Sequence, residues 1–385
     1  LTHSRLAGAL MYMGDIEGAE AAAFKGLVID PNLAEVQHTL GKLLFALGRP
    51  IMGEPLARAV ELNPNLPDAL GDFAWWRWYN LGEQGVGELY RRALVLDPLN
   101  VSRYGALGLF LAVNDDFDGA RAVIEQMKAM FDSPEAYRAI AQTYQLVGDV
   151  DHAIAWTIKA RDVEPDNPGH VEKLAEYFVD IGDFERAEAL TPDLGVGLLY
   201  KMRRFDEMIE KAEELYFDYP EDIRLKIFLA SAYSLTGKYD QAVRLIKSTG
   251  IIETLQNGNR GPDHWEAYYT LIEAAYGGGK IDEARDLVVW ALESIYPGEN
   301  ANWWVSVGRA CEAAILGDDA EVYRSLNRAL DGLELAWDPR LMDVACFKRF
   351  AEDPAYLAVI DHFEGLREKL RARLPSTLAQ YGVAL

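Results

Sequence analysis

Apolar residues recur along the chain at helical spacing, in blocks separated by short polar turns. The opening stretch LTHSRLAGALMYMG already carries Leu6, Leu10 and Met13 on one helical face. The block then closes on glycine and acid and resumes, and the same joint returns along the chain. It reads GDIEGA at 14–19, DDFDGA at 115–120, GDVDHA at 148–153, GDFERA at 182–187, GKYDQA at 237–242 and GKIDEA at 279–284. Glycine at that point can take the left-handed conformation that ends one helix, and the acids that follow suit the positive end of the next. The pattern predicts a repeated helix–turn–helix joint, with Asp149 and Asp151 as turn and cap residues.

Aligned at the last residue of each joint, with weaker copies at Met52, Val86, Met208 and Val322, the spacings from Ala19 onward are 33, 34, 34, 33, 34, 21, 34, 42 and 38. A repeat of that length cannot bury its apolar face alone, so neighbouring units must stack. In the unit starting near Pro134, aromatics stand at Tyr137 and Tyr144 and small residues at Ala141, Ala153 and Ala160, with Pro165 closing the second helix. At those offsets the unit resembles the tetratricopeptide repeat; Thr157 departs from it where the family has a second-helix aromatic. The likeness extends over roughly residues 1–335. It implies an all-α, right-handed α-solenoid of about nine to ten helix pairs.

Two places break the period. Between Ala187 and Met208 the segment LTPDLGVGLLYKMRRFD reads as a second helix cut short, and IIETLQNGNRGPDH at 251–264 reads as an inserted loop. The division expected is therefore a regular array over 1–190, an irregular one over 191–335 and a helical cap over 336–385. The last segment, with its Asp-Pro pairs and basic helix, also resembles the ends of repeat regions in bacterial regulators and nucleotide cyclases. Leu1 is not an initiator methionine, which suggests a fragment whose N-terminal portion, such as an effector domain, is missing.

Composition narrows the partners. Of the 385 residues, 61 are acidic and 38 basic, a formal charge of −23 that repels phosphate backbones and anionic lipid. Nucleic acid and direct membrane contact are disfavoured, and a protein or peptide is favoured. Cys311 and Cys346 are too few for a disulfide framework or a cysteine metal cluster and read as buried thiols. The aromatic run DALGDFAWWRWYN at 68–80 reads as core, with at least one of Trp75, Trp76 and Trp78 forced to another face, and Trp303-Trp304 repeat the theme. No signal peptide or membrane span is evident, so the reading is cytoplasmic, or periplasmic if an export signal or anchor has been trimmed.

Catalytic motifs are absent. There is no His-Glu-x-x-His, Gly-x-Ser-x-Gly or phosphate loop, and the six histidines are dispersed over different units. His152 stands where sister units have Gly18, Gly119, Arg186, Gln241 and Glu283, so a metal role for Asp149, Asp151 and His152 is disfavoured. No catalytic, cofactor or metal residue is assigned.

The resemblance instead implies a groove on the first helices. Its usual inward offsets fall on His38 and Lys42, Asp72 and Trp76, Arg138 and Gln142, Glu172 and Glu176, and Tyr269 and Glu273. No unit carries the lysine–asparagine pair that clamps chaperone tails in one subfamily. The expected role is a non-enzymatic scaffold for a peptide or protein. The alternative is a sensor or regulatory region of a larger signalling or transcription-regulating protein, through self-association or contact with a missing N-terminal domain. An enzyme site assembled from dispersed acids is the third reading.

Overall fold

The computed structural model describes residues 1–47, 52–81, 83–257, 262–294, 303–332 and 340–385, and every regular element among them is helical. The chain divides into two compact units, Leu1–Phe110 and Leu111–Leu385. The first holds α1 (Thr2–Tyr12), α2 (Ile16–Ile29), α3 (Ala34–Ala46), α4 (Gly53–Leu62), α5 (Pro67–Leu81), α6 (Gly87–Leu96) and most of α7 (Val101–Val113). The second continues with α8 (Phe117–Met130), α9 (Pro134–Leu146), α10 (Val150–Val163), α11 (Pro168–Asp180), α12 (Phe184–Leu190), α13 (Val196–Lys201), α14 (Phe205–Asp218), α15 (Ile223–Leu235) and α16 (Tyr239–Ser248). It then runs through α17 (Ile251–Gln256), α18 (Pro262–Gly277), α19 (Ile281–Ser294), α20 (Trp303–Leu316), α21 (Asp319–Gly332), α22 (Arg340–Asp343) and α23 (Pro354–Tyr381). Each helix packs chiefly on its sequence neighbours, as tetratricopeptide-like helix pairs of the α-solenoid class do.

The repeated joint explains the pairing. Gly14, Gly148, Gly182, Gly237, Gly279 and Gly317 all have positive φ, and Asp115 and Arg203 take the same left-handed turn without being glycine. At the aligned end of the joint, Ala19, Ala120, Ala153, Ala187, Ala242 and Ala284 are fully buried, because a methyl group there lets the two helices of a pair close on one another. Larger residues such as Leu43, Leu56 and Ile140 are also buried. Each stabilises its interface by about 2 kcal/mol through burial.

The second helix expected to be cut short is so: α12 keeps 7 residues where α10 has 14, and α13, beyond Thr191-Pro192, is shortened as well, to 6. The other irregular place is built differently from expectation. The segment expected as a loop begins as a helix, α17, because Ile251, Ile252 and Leu255 are buried as its apolar face. Residues 258–261 of that segment lie outside the described residues, as do the side chains of Trp303 and Trp304.

Cys311 and Cys346 are a disulfide rather than two thiols, with Cα atoms 5.6 Å apart. Both are buried, as expected. Their pairing was not legible because it depends on a 3₁₀ turn, 345–350, folding its Phe347 and Phe350 inward and carrying Cys346 to α20.

Candidate functional site

In the first unit, α3 and α5 present equivalent positions of successive repeats side by side. His38 Nε2 lies 2.7 Å from Asp72 Oδ2, and the two residues are 34 apart in sequence, one repeat length. Beside them Lys42, Phe45, Asp72 and Trp75 wall a cavity of about 310 Å3 floored by Met52 and Leu56. Phe45 meets Trp75 edge to face at 5.1 Å between centroids, and Trp75 stacks on Tyr79 at 4.7 Å, so the aromatic wall is braced. Lys42 and Phe45 are exposed.

Trp76 is turned away from this wall. Its ring lies against α4, where a Cβ on Gly53 would collide with it, and it stacks on Phe73 at 6.1 Å. Adjacent residues on a helix point about 100° apart, so one tryptophan faces the cavity and the next the neighbouring helix. Of the predicted residues of this unit, His38, Lys42 and Asp72 are brought together. Phe45 and Trp75 were missed, although the Trp75–Trp76 pair signalled that one of the two had to face outward.

In the second unit, Arg138 Nη1 donates to Glu164 Oε2 at 2.5 Å, and His170 Nε2 approaches the same oxygen at 3.0 Å. The hydrogen bond from His170, with Asn167 and the charge of Arg138 adding to it, holds the Glu164 carboxyl below its ordinary range against an opposing desolvation. Gln142 and Glu172 are exposed. Glu176 is half-buried and accepts from Lys201 at 3.2 Å, and Lys201 also donates to Asp180 at 2.7 Å. Burial pushes Glu176 up, but Lys201 and Lys173 outweigh it and keep the carboxylate charged.

Tyr269 and Glu273 are placed otherwise than a groove lining requires. They are 4% and 5% exposed, enclosed between α18 and its neighbours. Gly308 of α20 is the reason for Tyr269: a Cβ there would run into the Tyr269 ring, so the missing side chain admits the tyrosine into the packed interface. Neither residue is available to a partner in this conformation.

The joint at 148–153 is occupied. Asp149 stands at the N-cap of α10 but makes no capping hydrogen bond, unlike Asp15, Asp116 and Asp183 in sister joints. Its carboxylate instead accepts from Arg121 Nε at 3.2 Å and from Arg373 Nη2 at 3.1 Å, two guanidiniums that outcompete a backbone N–H. Asp151 is fully buried and accepts from Arg373 Nε at 2.8 Å, from Arg373 Nη2 at 2.6 Å and from the Thr377 hydroxyl. His152 Nδ1 lies 2.9 Å from the Tyr381 hydroxyl. The cap expectation for Asp149 and Asp151 is thus corrected: their carboxylates are held by guanidiniums, from Arg121 of α8 and Arg373 of α23 on Asp149 and from Arg373 on Asp151.

Burial pushes the Asp151 carboxyl up, yet the hydrogen bonds from Arg373 and Thr377 and the Arg373 charge bring it below its ordinary range. Burial lowers the His152 imidazole, with Asp151 and Asp149 opposing. Beyond this joint, α23 lays Arg367 and Arg371 over the end of α11. Arg367 donates to the carbonyls of Val179 at 3.0 Å and Asp180 at 3.2 Å, and Arg371 donates to Ile181 O at 2.5 Å. Val179 O also accepts from the Gly182 N–H at 2.9 Å, and all three carbonyls lie at the negative end of the helix, where cations are favoured.

Solved structures of similar fold include TTC0263, titled a thermophilic TPR protein in Thermus thermophilus, at 21% identity over 46% of this chain and 98% of its own, with a TM-score of 0.41. Yeast Tom70 aligns at 16% identity over 98% of this chain and 91% of its own, TM-score 0.39. Human IFIT1, solved as a dimer with PPP-AAAA, aligns at 16% identity over 84% of this chain and 81% of its own, TM-score 0.39. No protein-family model matches the chain, and no curated protein matches it. The six-residue joints, most of them about 34 residues apart, and the helix pairs they build give the chain an all-α repeat fold that resembles the tetratricopeptide repeat.

Proposed function

We propose that the protein is a non-catalytic scaffold that binds a peptide segment of a protein partner through the first helices of its repeats. The observation that carries this reading is the cavity between α3 and α5. Its aromatic wall of Phe45 and Trp75 suits a large apolar side chain, and the exposed ammonium of Lys42 and the half-exposed carboxylate of Asp72 suit charges of opposite sign on either side of it. In the second unit, Arg138, Gln142, Glu172 and Glu176 offer the same mixture of signs on α9 and α11. The ligand that fits is a peptide of mixed charge with an aromatic or long aliphatic anchor. The net charge of −23 disfavours a nucleic acid in the same role.

The test is selection of peptides from a displayed random library on the full chain, followed by affinity measurement on Trp75→Ala and Lys42→Glu. Loss of about tenfold or more on either variant, with unchanged circular dichroism, supports the site. Peptides that bind both variants as well as the parent sink it. A second set, Arg138→Ala with Glu172→Ala, asks whether the second unit contributes independently.

A further inference from the structure

The second residue of the second helix is acidic in nine repeats: Glu17, Glu54, Glu88, Asp118, Asp151, Glu185, Asp206, Asp240 and Asp282. Eight of them are exposed, and Asp151 is fully buried. What covers it is the end of a helix more than two hundred residues away, since Arg373 and Thr377 both bond its carboxylate. In a chain of formal charge −23, the stretch from Gly365 to Tyr381 carries Arg367, Lys369, Arg371 and Arg373 against Glu368 alone. The surface it covers is complementary: Asp149, Asp151 and the carbonyl end of α11.

We propose that the surface formed by the 148–153 joint and the C-terminal end of α11 is a docking site for a basic amphipathic helix, with α23 as its exchangeable resident and a partner helix of like pattern as its ligand. The pattern read from α23 is arginine at positions i, i+4 and i+6, threonine at i+10 and tyrosine at i+14, with Leu370, Leu374 and Leu378 buried alongside. Gly182, glycine because of its left-handed turn, also leaves room for the arginines: a Cβ there would stand 2.6 Å from Arg371 Nη1 and 3.0 Å from the Arg367 guanidinium carbon. The tyrosine seat is specific as well: Tyr381 meets His152 through its hydroxyl and Trp156 edge to face at 5.4 Å.

Exchange is built into the resident helix. Pro375 lies inside α23, where it cannot donate to the carbonyl of Arg371, so the last turns are held by their docking contacts more than by the helix itself. The anchors are charge pairs and carbonyl contacts that a second helix of the same pattern can reproduce. An undocked α23 also leaves Asp151 and the α11 carbonyls uncovered, which favours replacement over vacancy.

The test uses the full chain and a fluorescein-labelled peptide of residues 363–385. A tethered occupant competes at high effective concentration, so the parent protein binds the peptide weakly. Arg371→Glu with Arg373→Glu frees the resident helix, raises amide exchange over 367–381, and tightens peptide binding by about tenfold or more. Adding Asp149→Lys and Asp151→Lys abolishes it. Unchanged exchange in the first variant, or a freed helix with no gain in peptide affinity, overturns the proposal. Native-state hydrogen exchange on the unmodified protein tests it without any variant: amides of 376–381 open below the global unfolding threshold. Exchange of that segment only with the whole unit also overturns it.

Discussion

Arg373 grips the carboxylate of Asp151 from 222 residues further along the chain, Nε 2.8 Å from Oδ2 and Nη2 2.6 Å from Oδ1. The pair is asymmetric in exposure, Asp151 being fully buried and the Arg373 side chain 46% exposed. Removing the arginine therefore strands a desolvated carboxylate.

Arg373→Ala is expected to weaken the docking of α23 by about 2 kcal/mol, after allowance for the half-exposed guanidinium. The Asp151 carboxyl is held below its ordinary range in the folded protein. Its contribution is thus fully present above about pH 4, the ordinary aspartate range, and is lost as pH falls through the lower folded value. In Arg373→Ala burial is left largely unopposed and pushes the carboxyl up, so the sign reverses: the stranded charge weakens docking at neutral pH, and docking recovers as the acid is protonated on lowering the pH. Hydrogen exchange over 367–381 between pH 3 and 7 reads both effects. An unchanged acid profile in the variant would remove Arg373 from the account.

The Cys311–Cys346 bond closes a separation of 35 residues. A loop of that size restrains the unfolded chain by about 4 kcal/mol. Reduction, or Cys311→Ser with Cys346→Ser, is expected to lower stability by that amount in urea titration, and mass spectrometry of the untreated protein should show no free thiol. Equal stability of oxidised and reduced forms would be the contrary result.

The repeat was legible because it is local. A glycine, an acid and a buried alanine recur within six residues, and each physical requirement, a left-handed turn, a capped helix and a close approach, falls on its own position. The His38–Asp72 pair was within reach for the same reason, since residues one period apart lie side by side on neighbouring helices. The partners of Asp149, Asp151 and His152 were not legible. Apart from Arg121 on the neighbouring α8, they come from α23, and nothing in the periodicity says where a terminal helix will fold back. Tyr269 and Glu273 fit the groove offsets yet are enclosed, Tyr269 because α20 closes over it through Gly308. Offsets fix which face of a helix a residue occupies, not what later packs on that face.

Asp115 occupies a left-handed turn at φ 63°, where most sister joints have glycine. Burial also raises its carboxyl above the ordinary range, with Arg328 opposing. Asp115→Gly removes the backbone strain and is expected to stabilise the protein by about 1 kcal/mol. Gly148→Ala, at φ 93°, should shift the unfolding midpoint the opposite way by a similar amount. Two shifts of the same sign would contradict the turn assignment.

Glu312 is 2% exposed on α20, accepting from the Tyr268 hydroxyl at 3.0 Å and from Arg309 Nη1 at 3.2 Å. Burial pushes its carboxyl up to about 6, with Arg309 and Tyr268 only partly opposing. The folded state therefore favours the protonated acid relative to the unfolded chain. That stability is fully present below the ordinary glutamate range, about pH 4.3, and is lost as pH rises through about 6. Between those limits the loss is about 2 kcal/mol. Glu312→Gln keeps an acceptor for both neighbours without the ionisation, so it should be more stable than the parent at pH 8 by about that margin and indistinguishable from it at pH 4. Urea midpoints at the two pH values measure the difference, and a parent protein whose stability does not fall between pH 4 and 7 relative to Glu312→Gln would show that the buried acid is ionised throughout.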